Sequence, residues 1–249
     1  MGRTAGRLVE VFPSIQGEGL QVGTMQLFVR FAGCNLDCRH CDTAHLRSAG
    51  PDFPLHPWPG RRPGRVANPV TVDHLLEALA EAYPLADFHS ISLTGGEPLA
   101  QPEFLTRLAG RLHERGRPVF LETNGTLPDP VPALVPVVSY WSVDLKLSRG
   151  WNLAAGLLAR HRQFIAHLPP ARAYLKMVLD TDDEPGDLLR HLSHGEFRAF
   201  PLVLQPLATG QSTLSDWDSF SILEWVRLLG PHFREVRWIP QVHKLLRIP

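Results

Sequence analysis

Short apolar runs alternate along the chain with stretches whose apolar residues recur every three or four positions. The runs Gln26–Phe31, Ser90–Leu93, Val119–Glu122, Tyr140–Val143, Tyr174–Val178, Leu202–Gln205 and Val236–Ile239 are brief and rich in β-branched and aromatic residues, which predicts strands. Between them, Val72–Tyr83 with Thr71 as its N-cap, Phe104–Arg115, Leu153–Leu168, Asp187–His194 and Asp216–Leu229 carry the spacing of helices that bury one face. Strands and helices in alternation build a parallel sheet covered by helices, so the expected fold class is α/β. Gly17–Gly23 reads as a loop. So does Arg47–Pro69, dense in Pro, Gly and Arg, which is either a lid or an inserted flexible surface loop and is assigned no chemistry. No repeat or linker marks a boundary, and 249 residues suit one large α/β unit, so a single domain over 1–249 with a loop inserted at 47–69 is expected.

Composition narrows the partners. Lys+Arg 25 against Asp+Glu 25 leaves a formal net charge of zero, which lacks the positive footprint of a general nucleic-acid binder and favours a small-molecule partner. No apolar run approaches the roughly 18 residues that cross a bilayer, and Met1–Arg7 lacks the apolar core of a signal peptide. A cytoplasmic protein without membrane contact is therefore expected. Three cysteines cannot all pair, and their confinement to Cys34–Cys41 points to metal rather than to a structural staple.

Those cysteines, Cys34, Cys38 and Cys41, follow a strand in a Cys-x3-Cys-x2-Cys spacing. Three thiolates satisfy three irons of a four-iron, four-sulfur cluster and leave the fourth iron without a protein ligand. A closed zinc site with His40 or His45 as the fourth ligand is the plainer alternative. Polar groups then recur where later strands end. Thr94-Gly95-Gly96-Glu97-Pro98 combines glycines that admit a ligand to the backbone with an acid able to accept from an ammonium, although alone it describes an ordinary turn. Asn124-Gly125 alone is a turn. Ser142, Asp144 and Lys146 alternate so that all three can face inward, or Asp144 and Lys146 can simply form an ion pair. Gln205-Pro206 says little by itself. Recurrence at successive strand ends is what a barrel-type enzyme shows.

Taken together, these motifs resemble the radical S-adenosylmethionine (SAM) superfamily. The resemblance implies a partial, open parallel β/α barrel, a 4Fe-4S cluster on Cys34, Cys38 and Cys41, and SAM bound through the open iron. It implies SAM contacts from His40, which stands where an aromatic residue is usual, and from Asp42, Gly95, Gly96 and Glu97, the last holding the amino group. It extends them to Asn124, Ser142, Val143, Asp144, Lys146, Gln205 and Pro206.

Within the superfamily, Val11–Gly19, Arg30, Cys41-Asp42-Thr43 and the end of the chain from Arg237 to Pro249 resemble the 7-carboxy-7-deazaguanine synthases, over nearly the whole chain except Arg47–Pro69. Members of that family convert 6-carboxy-5,6,7,8-tetrahydropterin to 7-carboxy-7-deazaguanine with ring contraction and loss of ammonia, in the pathway to queuosine and other deazapurines. The resemblance implies substrate contacts from Ile15, Gln16, Gly17, Glu18, Arg30, Thr94, His243 and the carboxylate of Pro249, and a Mg2+ ion on the hydroxyl of Thr43. It also implies an electron donor such as flavodoxin or ferredoxin, a homodimer, and no direct contact with nucleic acid. The residue types suit such a substrate. Gln16 and Glu18 match a pterin edge, the Arg30 guanidinium matches a carboxylate, and a hydroxyl oxygen matches magnesium. Singly, Gln16–Gly19 reads as a solvated turn and Arg30 as a surface ion pair. Two rivals stand beside this reading: a glycyl-radical activase that acts on a partner protein, and a zinc-stabilised scaffold without catalysis.

Overall fold

The structure, a computed structural model, describes residues 4–38, 41, 44, 47–147, 156–192, 195–207 and 217–248. The chain begins with β1 (Ala5–Gly6), β2 (Leu8–Ile15) and β3 (Met25–Phe31), continues through a hairpin of β4 (Asp52–Leu55) and β5 (Gly64–Ala67), and reaches the short β6 (Val70–Thr71). Strands and helices then alternate. They are α1 (Val72–Ala82), β7 (Ser90–Gly95), α2 (Pro102–Glu114), β8 (Val119–Thr123), the single-turn α3 (Val131–Leu134), β9 (Tyr140–Asp144) and α4 (Leu157–Ile165). After these come β10 (Ala173–Leu179), α5 (Pro185–Leu192), β11 (Pro201–Pro206), α6 (Ser219–Leu229), β12 (Glu235–Trp238) and α7 (Val242–Leu246).

Ten strands share one sheet in the order β12-β11-β10-β9-β8-β7-β3-β2-β4-β5. From β3 through β7 to β12 every neighbouring pair is parallel, whereas β2 runs antiparallel to β3. The order is linear, with β12 and β5 at its two edges, so the parallel β/α barrel is open. Each strand and helix expected from the apolar pattern has a counterpart among the described residues, which leave out 153–155, 193, 194 and 216 of the expected helices. Helix starts follow their caps. Thr71 Oγ1 accepts from His74 N at 3.4 Å ahead of α1, and the Asp218 carboxylate accepts from Phe220 N and Ser221 N at 2.8 and 3.0 Å ahead of α6.

Two regions differ from expectation. Arg47–Pro69 is not a structureless loop, because it holds the β4–β5 hairpin and joins the sheet through Val11 opposite Leu55. Pro54 sits in β4, which is paired to β2 only at Leu55, so that side of the strand asks no ladder bond of its missing N–H. The stretch Leu8–Ile15, unassigned from the pattern, is β2, and Gly19–Gln21 forms one 3-10 turn inside the expected loop. No helix among the described residues is long and apolar enough to cross a membrane.

Alternation along each parallel strand gives it a helix-facing set and an inward set of side chains. The helix-facing set builds the main core, in which Val29, Leu93, Leu121, Val143, Leu175 and Leu204 are fully buried beneath α1, α2 and α4 to α6. The inward set starts as an apolar plug of Phe120, Tyr174 and Val203 and turns polar two residues on, at Glu122, Lys176 and Gln205. That change of character within one phase of the strands opens a polar chamber toward their carboxyl ends. Leu93 lies at the centre of the sheet, so Leu93→Ala is expected to cost about 2–5 kcal/mol of stability by urea unfolding of cluster-free protein. A loss below about 1 kcal/mol would contradict its central packing.

Candidate functional site

A cavity of about 710 Å³ occupies the carboxyl ends of the parallel strands. Ile15 at the end of β2 and Gln16, Gly17 and Glu18 from the turn after it line the cavity together with Arg30 of β3. Thr94, Gly95 and Gly96 enter from β7, Asn124 from the end of β8, and Ser142, Asp144 and Lys146 from β9 and the residues after it. Gln205 and His243 also line it, as do all three cysteines. His40, Asp42, Thr43 and Pro249 lie outside the described residues.

Three residues expected near the cofactor, Glu97, Val143 and Pro206, are not among those that line the cavity. Glu97 has no exposed surface and does not line the cavity. Its carboxylate accepts from Leu99 N at 3.0 Å, Thr123 Oγ1 at 2.9 Å and Asn124 N at 2.7 Å, which makes it a brace between β7 and the end of β8. Burial pushes this carboxyl up to about 7, although the donors from Asn124, Leu99 and Thr123 favour its charged form. Val143 lies between Ser142 and Asp144 and sends its side chain into the helix-facing core. Pro206 lies between Gln205 and Leu207, both of which line the cavity while it does not.

The cysteine loop is held by its backbone. Gly96 N donates to Phe31 O at 3.0 Å and Glu97 N to Gly33 O at 2.8 Å. A Cβ on Gly96 would fall 1.9 Å from Gly33 O, and Gly95 has a φ of +119°, so the glycine pair lets β7 dock against the residue before Cys34. From the other side, Asn124 Nδ2 donates to Asn35 Oδ1 at 2.9 Å and Asn35 Nδ2 to Thr126 Oγ1 at 2.8 Å. Arg47 pairs with Asp37 at 2.5 Å. Burial pushes the Cys34 thiol up and the Cys38 thiol up to about 11.

The opposite wall is a network of side chains. Gln16 Nε2 donates to Glu122 Oε1 at 2.9 Å and to Gln26 Oε1 at 3.1 Å, and Thr94 Oγ1 donates to Glu122 Oε2 at 2.7 Å. Gln241 Nε2 donates to Glu18 Oε1 at 2.8 Å, while Lys176 Nζ donates to Glu18 Oε2. Burial alone would raise the Glu18 carboxyl, but the charge and hydrogen bond of Lys176, the Gln241 hydrogen bond and the His243 charge outweigh it and hold it down at about 2. Val242 N donates to Gly17 O at 2.9 Å, and a Cβ on Gly17 would meet His243 Nδ1 at 2.3 Å, so glycine here lets the start of α7 lie on the turn. Arg30 Nε lies 2.8 Å from Glu10 Oε1, and its guanidinium carbon stands 5.0 Å from the centre of the Phe12 ring. His56, from the hairpin, pairs with the other Glu10 oxygen at 2.9 Å.

A family model of the radical SAM superfamily matches residues 28–145. Over 252 residues the chain is 35% identical to the 7-carboxy-7-deazaguanine synthase of Geobacter sulfurreducens, and the match covers 99% of each protein. The chain belongs to the 7-carboxy-7-deazaguanine synthase family. A relative of the same name from Methanopyrus kandleri is 38% identical over 243 residues, covering 95% of this chain and 92% of that one. Among solved structures, QueE from Escherichia coli shares the fold with a TM-score of 0.59 at 20% identity, over 96% of this chain and 95% of that one.

As a radical SAM protein, this member of the synthase family uses a 4Fe-4S cluster and SAM, and its cavity fits both. Cys34, Cys38 and Cys41 all line it, so three thiols reach one chamber, as ligands to three irons of a shared cluster must. Gln205 is fully buried, lines the cavity, and has neither end of its amide satisfied among the described residues. Such an amide calls for a ligand that offers a donor and an acceptor.

Glu122, Lys176 and His161 were missed from the sequence. Glu122 and Lys176 are inward polar positions on otherwise apolar strands, and a carboxylate or ammonium in the inward phase of a buried strand was the available signal. His161 on α4 is buried, and its Nε2 accepts from Lys146 N at 3.3 Å; burial pushes it down to about 4, so it braces the end of β9 as a neutral ring. Gly96→Ala is expected to dislodge the Cys34 loop. The variant should keep its far-ultraviolet circular dichroism yet bind well under the full complement of iron after anaerobic reconstitution. Full iron loading would refute the packing role of this glycine.

Proposed function

We propose that the chain converts 6-carboxy-5,6,7,8-tetrahydropterin to 7-carboxy-7-deazaguanine through hydrogen abstraction, ring contraction and loss of ammonia. The observation that carries this reading is that a single chamber joins the three cysteines to Gln16, Glu18, Arg30 and Thr94. The relatives that bear the synthase name span almost the whole chain, which supports the same substrate. Cys34, Cys38 and Cys41 hold the cluster, which with SAM supplies one-electron cleavage to a hydrogen-abstracting alkyl radical. Gly95, Gly96, Asn124, Ser142, Asp144, Lys146 and Gln205 face the cofactor half, and His40 and Asp42 belong with them.

In the substrate half, Arg30 brings to the cavity a guanidinium that lies over the Phe12 ring with Nε 2.8 Å from Glu10, an ion pair without hydrogen-bond geometry, and this planar cation suits a carboxylate. Glu18 and Glu122 offer acceptors to the amino edge of a pterin. His243, Ile15 and the Gln16-Gly17 backbone close the wall, with Pro249 beyond them. Thr43 would supply one oxygen ligand to a Mg2+ ion, which would offset the charge of the substrate carboxylate. Flavodoxin or ferredoxin supplies the electron, the chain works as one domain and as a homodimer in the cytoplasm, and its product feeds queuosine and related deazapurines.

Incubation of anaerobically reconstituted protein with a reductant, SAM, Mg2+ and the carboxytetrahydropterin should yield a deazapurine and ammonia. SAM cleavage without a deazapurine would overturn the assignment of substrate. Cys38→Ala should abolish the brown cluster chromophore. Arg30→Ala should raise KM by roughly tenfold or more, the worth of a charge-assisted hydrogen bond, with the cluster content unchanged; an unaltered KM would remove Arg30 from substrate binding.

A further inference from the structure

We infer that Lys176 is a positioning residue, a buried ammonium that pins the Glu18 carboxylate in the orientation the substrate meets. This rests on the proposed function in so far as Glu18 faces the pterin. Glu18 occupies an extended backbone position at the start of the Gly19–Gln21 turn and makes no capping bond to that turn, so local structure does not fix its side chain. Its orientation is set from two distant elements. Gln241, just before α7, takes one carboxylate oxygen and Lys176 of β10 takes the other. Lys176 is 8% exposed and stands on an otherwise apolar strand, so its charge sits where only compensation by an acid makes it tolerable.

The acids around Lys176 are unequal partners. Asp144 is its register neighbour on β9, but Lys176 Nζ is 3.9 Å from Asp144 Oδ2, and that oxygen already lies 2.5 Å from Lys146 Nζ. Glu122 is engaged by Gln16 and Thr94. Glu18 is therefore the carboxylate that loses its hydrogen-bonded cation when Lys176 is removed, left with Gln241 and the weaker influence of His243, while Asp144 keeps Lys146. The consequence is directional. Loss of Lys176 injures the substrate half of the chamber and spares the cofactor half, which a general defect in packing would not do.

The test uses reconstituted full-length protein and reads pterin and SAM binding separately by equilibrium titration. Lys176→Met should weaken the carboxytetrahydropterin by at least about tenfold, the scale expected for a stranded buried charge, while SAM affinity and cluster absorbance stay near wild type. Lys176→Arg, which keeps the cation, should recover most of the pterin affinity. Glu18→Gln/Lys176→Met removes both charges together and should bind pterin no worse than Glu18→Gln alone, which also answers the case in which the single variant does not fold. Equal weakening of both ligands, or unchanged pterin affinity in Lys176→Met, would overturn the inference. Hydrogen exchange separates it from the substrate assignment. Faster exchange at 16–20 in Lys176→Met or Lys176→Gln supports the pin even if wild-type protein binds no pterin, and unaltered exchange there counts against it.

Discussion

The carboxylate of Glu97 and the peptide that carries it tie three pieces of chain into one frame. The side chain gathers donors from the turn after β7 and from the end of β8, while its own N–H holds the carbonyl of Gly33, the residue before Cys34. Each of these groups is withdrawn from water, so each must find a partner inside the protein. A single residue thereby sets the distance between the cysteine loop and two strand ends. The adjacent Gly96 is the steric counterpart, since any side chain there would occupy the place of the Gly33 carbonyl oxygen.

Above that frame the chamber divides by chemistry. One half is lined by thiols, glycine backbone and the unsatisfied amide of Gln205. The other is lined by the carboxylates of Glu18 and Glu122 and the guanidinium of Arg30, each oriented by a neighbour that does not touch the cysteines. The halves meet along β9 and β10, where Asp144 and Lys176 are opposite in register. The two halves are thus oriented by separate sets of neighbours that come together along those two strands. Phe120, Tyr174 and Val203 seal the inward face below, which leaves the carboxyl-end mouth as the approach to the site.

Much of this was legible in the sequence, for a physical reason. The parallel strands are buried on both faces, so they read as continuous apolar runs, and the polar residues that interrupt or end them mark the chamber. Cys34, Cys38 and Cys41 and the ends of β7 and β9 were found in this way. Lys176 was not, because Tyr174–Val178 was scored for apolarity and its one charge was passed over. The bracing bonds of Glu97 are not legible, because a carboxylate after two glycines gives no hint, from sequence alone, of the three donors that close around it. β2 and the β4–β5 hairpin were hidden by Pro13 and Pro54, which count against strands by propensity yet are accommodated here.

That hairpin changes the standing of β2. The loop of the substrate half issues from β2, whose Val11 carbonyl accepts from His56 N at 2.8 Å on the side away from β3. Tyr83 secures the junction by donating to His56 O at 2.7 Å. With residues 52–67 in place, the unpaired selvedge of the sheet falls on β5, which carries Arg65 paired to Asp52 and is remote from the chamber. Without them β2 itself would be the border, open to pairing with a foreign chain. A segment that does not itself line the chamber thus decides whether the strand leading to Gln16–Glu18 is interior or frontier.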